Sequence, residues 1–239
     1  LIGSKPRLLI MTKADLADPE QTRAWKQHFE AQGHTVLVLD TRDPRTPQLV
    51  TKAARRAVEA KKAAQLARGI QDQPIRALIA GIPNVGKSTL LNHLVMKNVA
   101  PTADRPGVTK KVAWLKTPTK LELLDSPGVL WPKFEDPEVG FCLAVTGAIK
   151  EDVYDRETAV ELLLERLMHI YPEDLRVKYA IDFSEAEPVR EVMSKIAVAR
   201  GCLKAGGVLD IDKVIQLVLR DFRTGRLGRF TLDEPSENN

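Results

Sequence analysis

The residues whose spacing most constrains the chemistry are Gly81, Gly86, Lys87 and Ser88, in the run Gly81-Ile82-Pro83-Asn84-Val85-Gly86-Lys87-Ser88. Two glycines let the backbone curl so that successive N–H groups face one anion, and a helix opening at Lys87 adds the positive end of its dipole. In such a loop Lys87 reaches the β- and γ-phosphates of a nucleotide and the Ser88 hydroxyl is a Mg²⁺ ligand. A plain glycine-rich turn is the alternative; the apolar run Ile75 to Ile82 before it and the amphipathic stretch Lys87 to Met96 after it favour the phosphate loop. Further on, Asp125 ends an apolar run, where a carboxylate can orient Mg²⁺ through water, and Gly128 offers a backbone N–H to a γ-phosphate. Taken alone, Asp125-Ser126-Pro127-Gly128 also reads as an ordinary turn. Between the two motifs, Thr109 is a candidate second Mg²⁺ ligand engaged only by a triphosphate, which predicts that the loop Asn98 to Thr109 orders with the nucleotide state.

Base selection points to Thr12-Lys13-Ala14-Asp15, directly after the apolar run Leu8 to Met11. The Asp15 carboxylate can accept from both the ring N–H and the exocyclic amine of guanine, a donor pair that adenine lacks, and a mismatched base leaves buried groups unpaired. The stem of Lys13 can cover the base. A strand-to-helix turn with no ligand is the competing reading of this tetrapeptide.

The elements that must position these groups follow from periodicity. Leu8 to Met11 and Thr35 to Leu39 are buried-strand runs, the second ending in Asp40-Thr41-Arg42-Asp43-Pro44. Asp18-Pro19 supplies a cap and first-turn proline for a helix to Gln32, with Gly33 as its stop. A helix-forming stretch from Pro47 to Arg68 precedes the phosphate-loop strand. Two more strand runs, Val112 to Lys116 and Leu121 to Leu124, follow the loop Asn98 to Lys111. Alternating strands and helices predict an α/β fold with a parallel sheet. Beyond Gly147 apolar residues recur at helical spacing, as in Val160, Leu163, Leu164 and Leu167, with more helices expected at 185–200 and 210–222. The expected domains are therefore 1–147, α/β, and 148–239, helical.

Phosphate loop, Thr109, Asp125-Ser126-Pro127-Gly128 and Thr12-Lys13-Ala14-Asp15 together resemble the GTPase set in permuted order, the base-reading motif standing ahead of the phosphate loop. The chain resembles the circularly permuted GTPases, and more closely their bacterial large-subunit assembly factors. That likeness is carried by Gly81 to Thr89, Asp104-Arg105-Pro106-Gly107-Val108-Thr109, Leu123 to Asp136 and Leu143 to Lys150. It implies a Ras-like domain followed by a helical RNA-contacting domain, GTP/GDP as ligand, Mg²⁺ as cofactor and the large (50S) ribosomal subunit with its rRNA as partner. It also implies roles residue by residue: Asn84, Val85, Gly86, Lys87, Ser88 and Thr89 on the phosphates, Ser88, Thr109 and Asp125 at the metal, and Gly128 on the γ-phosphate. Thr12, Lys13, Ala14 and Asp15 fall at the base, and Asp40-Thr41 falls, by position, at the last base-contacting loop. Asn84 is implied to help hold K⁺. Thr12 stands where the family carries Asn, so a bracing amide is lost. Val129 follows Gly128 where a water-orienting Gln can stand, so slow intrinsic turnover is expected, with Lys87, Asn84 and Gly128 as the catalytic set. The permuted order implies one more strand ahead of Leu1.

Composition narrows the remaining choices. The net charge is +4, but residues 1–149 carry 22 basic and 14 acidic groups against 14 and 18 in 150–239. The excess suits phosphates, and residues 51–69 concentrate six basic groups beside Glu59. A second basic set, Arg200, Lys204, Lys213, Arg220, Arg223, Arg226 and Arg229, is diluted by aspartates; either set can be a solvated helix face. Aromatic content of 5% argues against base stacking on single strands. Two cysteines, Cys142 and Cys202, give no metal spacing and predict a reduced, cytoplasmic setting. No apolar run is long enough for a membrane span, and a monomer is expected. A P-loop kinase would need a lid of clustered arginines that is not apparent. A regulatory guanine-nucleotide sensor binding a protein partner is the alternative to the ribosome-assembly GTPase.

Overall fold

In the computed structural model, the described residues are 5–96, 114–125 and 136–235, the side chain of Asp125 excepted. They fall into two compact units, 1–130 with 233–239, and 131–232.

In the first unit β1 (Leu8–Met11) pairs in parallel with β2 (Thr35–Val38), Leu8 opposite Thr35. Helix α1 (Pro19–Ala31) links them. The Asp18 carboxylate accepts from the N–H groups of Glu20 (2.7 Å) and Gln21 (2.9 Å), satisfying donors at the helix start, and Gly33 follows at φ 85°. The helical stretch after β2 is two helices, α2 (Thr46–Ala57) and α3 (Glu59–Ala67). They are separated at Val58, whose ψ of 6° breaks the first helix.

Strand β3 (Ile75–Ile79) leads through the phosphate loop into α4 (Lys87–Val95). Strands β4 (Trp114–Lys116) and β5 (Leu121–Asp125) complete a second sheet in the order β3-β5-β4. The parallel pairing expected from the alternation holds for β1–β2 and for β3–β5, and β4 departs from it. Strands β3 and β5 are parallel, with Ile79 opposite Asp125, whereas β4 is antiparallel to β5. A connection as short as Thr117 to Lys120 can only reverse the chain, since parallel neighbours need a crossover of a dozen or more residues.

The two sheets share one core. Leu90, Leu91 and Leu94 of α4 pack with Leu39, Val50, Ile75, Leu121 and Leu123, and Ile10 and Leu37 lie against them. Burying such side chains contributes about 1.5–3 kcal/mol each, which fixes α4, and hence the loop that opens it, against the strands.

The second unit contains α5 (Pro137–Val145), α6 (Arg156–Ile170), α7 (Pro172–Tyr179), α8 (Val189–Ala199) and α9 (Ile211–Arg223). Val160, Leu163, Leu164 and Leu167 of α6 are fully buried, at the spacing of one helix face, and α6 touches each of the other four helices. The core continues through Leu175, Tyr179, Val192, Ile196, Val214 and Val218. Arg223 stands apart from the basic set proposed from sequence. Its guanidinium donates to the carbonyls of Val145 (2.9 Å) and Ala144 (3.0 Å) and to the Tyr154 hydroxyl (3.0 Å), and pairs with Glu151 (2.6 Å). A Cβ at Gly147 would come within 3.3 Å of its Nε. Arg223 is therefore a tie inside the helical unit rather than a solvent-facing cation.

Candidate nucleotide site

The end of β1, the end of β2 and the start of α4 converge. Thr12 lies one residue past β1, and its hydroxyl donates to the carbonyl of Val85 in the phosphate loop. Gly86 has φ 94°, a left-handed value that favours glycine, and a Cβ built there would lie 3.9 Å from Thr12 Oγ1 and 3.9 Å from Thr41 Cγ2. Segments more than seventy residues apart in sequence thus meet at one point. The amide expected to be missing at position 12 is answered by a hydroxyl that makes one inter-loop hydrogen bond.

The helix starts at Lys87, as expected from the sequence, and the turn before it is made by Asn84 and Gly86. Asn84 adopts φ 56°, a left-handed turn in a non-glycine residue, and α4 begins at Lys87 directly after Gly86. Lys87 Nζ donates to the carbonyls of Gly81 (2.8 Å) and Ile82. Val85, Gly86, Lys87, Ser88 and Thr89 are all half-buried along the first turn, so their N–H groups sit where a helix start favours an anion.

The candidate base loops are held by hydrogen bonds to neighbouring elements. Ala14 N–H donates to Leu39 O (3.3 Å), Lys13 sits at φ 55°, and Leu16 N–H closes a turn onto Lys13 O (2.9 Å). Fully buried Thr46 donates from Oγ1 to Asp40 O (2.9 Å), and His93 Nδ1 lies 2.7 Å from Thr41 O. Neither Thr46 nor His93 was singled out from sequence. Thr46 could have been, as a hydroxyl opening a helix after an Asp-rich loop; His93 had no signal, because its partner lies on another element.

Arg42 is the third residue missed. It joins the carboxylates of the two candidate base loops: Nε to Asp40 Oδ1 at 3.1 Å, Nη2 to Asp40 Oδ2 at 3.2 Å, and Nη2 to Asp15. The guanidinium and the Arg42 N–H together hold the Asp40 carboxyl below the usual carboxylate range.

Of the metal set, Ser88 lies in the first turn of α4, and the β3–β5 register sets the Asp125 backbone beside Ile79, where the phosphate loop departs. A hydroxyl and a carboxylate suit a hard, oxygen-loving divalent cation. Thr109 and Gly128, with the loop Asn98 to Lys111, lie outside the described residues.

A family model described as "50S ribosome-binding GTPase" matches residues 76–195. Over 238 residues, 99% of this chain and 82% of the relative, the sequence is 42% identical to the Ribosome biogenesis GTPase A of Priestia megaterium. The chain belongs to the ribosome biogenesis GTPase A family. Its fold is also shared by two solved structures at 24% identity. The GDP-bound structure of TM YlqF gives a TM-score of 0.68 over 95% of this chain and 83% of that one. GNP-bound YlqF from T. maritima gives 0.65 over 96% and 82%. The family match begins at residue 76, so the segments Thr12–Asp15 and Asp40–Thr41 precede it: the fold is a P-loop GTPase domain in circularly permuted order.

Proposed function

We propose that the chain binds guanine nucleotide across these three loops, hydrolyses GTP, and serves as an assembly factor of the large ribosomal subunit. The observation that carries this is the 42% identity, over nearly the whole chain, to a Ribosome biogenesis GTPase A. The bond from Thr12 to Val85 supports a shared base and phosphate site.

In this reading Asp15 accepts guanine's two donors, Lys13 and Ala14 line the base, and Asp40 and Thr41 flank it. The N–H groups of Asn84 to Thr89 receive the phosphates. Lys87 exchanges the carbonyls of Gly81 and Ile82 for phosphate oxygens, and its charge offsets the negative charge developing on the γ-phosphate as water attacks. Gly128 N–H is assigned to the same γ-phosphate. Ser88, Thr109 and Asp125 would hold Mg²⁺, which supplies neutralisation of the β- and γ-oxygens when bound. Asn84 is assigned to K⁺. With Val129 where a water-orienting glutamine can stand, turnover of the protein alone is slow and is raised by K⁺ and by the particle.

RNA contact is assigned to two surfaces. A groove of about 900 Å³ between α2, α3 and the β4–β5 turn is lined by Lys52, Arg55, Arg56, Lys62 and Lys120 against Glu59 and Asp72. In residues 148–239, the proposed RNA-binding region, Arg200, Lys204, Lys213, Arg220, Arg226 and Arg229 are exposed. Among the described residues no helix is long and apolar enough to cross a membrane, and a monomer working in the cytoplasm is the proposed form.

The test is co-sedimentation with 50S, 30S and 70S particles in GDP and in a non-hydrolysable GTP analogue. Retention on 50S that depends on the triphosphate, with GTP turnover rising when 50S is added, is expected. Stimulation by 30S but not 50S, or fast turnover in Na⁺ without particles, would overturn it.

A further inference from the structure

A guanidinium and the Watson–Crick edge of guanine present the same thing to a carboxylate: parallel N–H donors in one plane. In this chain such a mimic is built in. Arg42 N–H donates to Asp40 Oδ1 (2.9 Å), a local turn that aims the side chain, and Nε and Nη2 then fork onto the Asp40 carboxylate at 3.1 and 3.2 Å. That fork leaves the second Nη2 hydrogen for Asp15, the carboxylate assigned to guanine. The anchor is itself fixed, because Asp40 O accepts from Thr46 Oγ1 (2.9 Å) and from Asp43 N–H (3.0 Å). Asp15 is 28% exposed and Arg42 68%, so the arm can leave Asp15 without disturbing the core.

We propose that Arg42 is an internal competitor for guanine: its guanidinium caps the Asp15 carboxylate and must be displaced before the base is read, which weakens guanine-nucleotide binding. Because the fork to Asp40 does not involve Asp15, Arg42 can release one partner and keep the other, and return when the base leaves. The inference rests on the assignment of Asp15 as the guanine-reading group.

The test uses the full chain and GDP labelled on the ribose, leaving the base natural. Arg42→Ala is expected to tighten GDP about two- to fivefold at low ionic strength, the range of an exposed ion pair, and the gain should shrink as salt screens the pair. Arg42→Gln, which can still donate to Asp40, should act in the same direction and controls for loosening of the loop. In an Asp15→Asn background titrated with xanthosine diphosphate, Arg42→Ala should change affinity by less than about twofold, because the contested carboxylate is gone. Unchanged or weaker GDP binding in both Arg42 variants would overturn the inference, as would an equal gain in the Asp15→Asn background. If Asp15→Asn alone leaves the preference for GDP over xanthosine diphosphate intact, the assignment of Asp15 fails instead, whatever Arg42 does.

Discussion

The Thr12 hydroxyl ties the proposed base loop to the phosphate loop by donating to the carbonyl of Val85, and Thr12→Val removes that bond while keeping the side chain's shape. A neutral hydrogen bond contributes a net 0.5–1.5 kcal/mol, about, and leaving its acceptor unsatisfied costs roughly 1–3 kcal/mol when water cannot replace the donor. Thr12 is half-buried, so water can partly replace it, and the lower range applies. At about 1.4 kcal/mol per factor of ten, GDP affinity should fall roughly two- to tenfold. Calorimetric titration of GDP into wild type and Thr12→Val measures it directly, and Thr12→Asn, with an amide of its own to donate, should bind at least as well as wild type. The midpoint of thermal unfolding should drop by a few degrees at most. Wild-type GDP affinity in Thr12→Val would show that the hydroxyl carries no coupling between the loops, and the argument that it stands in for the family's amide would be lost.

Four other expectations concern single positions. Asp15→Asn should weaken GTP by about ten- to a hundredfold, the worth of hydrogen bonds to a charged group, and should favour xanthosine triphosphate in competition binding. Equal ATP and GTP affinity in wild type would contradict the base assignment. Arg223→Glu should unfold or strongly destabilise the helical unit, seen as lost helical circular dichroism, because it breaks four contacts and buries a like charge beside Glu151. Arg226→Glu, on an exposed residue, should leave the melt unchanged and reduce the salt dependence of 50S binding by about one phosphate contact. Finally, Arg166 forks onto Glu138 and holds its carboxyl below the ordinary value of 4.5. A carboxyl lowered by folding stabilises above its unfolded pKa and loses that contribution as pH falls through the folded one. Glu138→Gln should therefore cost up to about 1 kcal/mol near neutrality, discounted for exposure, with the gap closing below pH 4.5 in denaturant titrations.

Sequence by itself determined what depends on local geometry. The helix starts at Asp18-Pro19 and Lys87, the helical face of α6, and the turn at Asn84 to Gly86 are set by residues within a few positions of one another, where capping, periodicity and glycine freedom act. The order of motifs also sufficed to recognise a permuted GTPase, because each loop needs a particular residue type at a strand end. Tertiary structure alone decided which groups are engaged. Arg42 reads as one more charge in an Asp-rich loop until β1 and β2 pair and bring Asp15 alongside Asp40. Arg223 reads as a surface cation until α9 packs in the helical unit and its guanidinium meets the last carbonyls of α5. Thr12 reads as a loss relative to asparagine until Val85 is set within reach of its hydroxyl. In each case the partner is distant in sequence, and hydrogen bonding and ion pairing fall off within a few ångströms, so only the packed chain can say which of many possible partners is the real one.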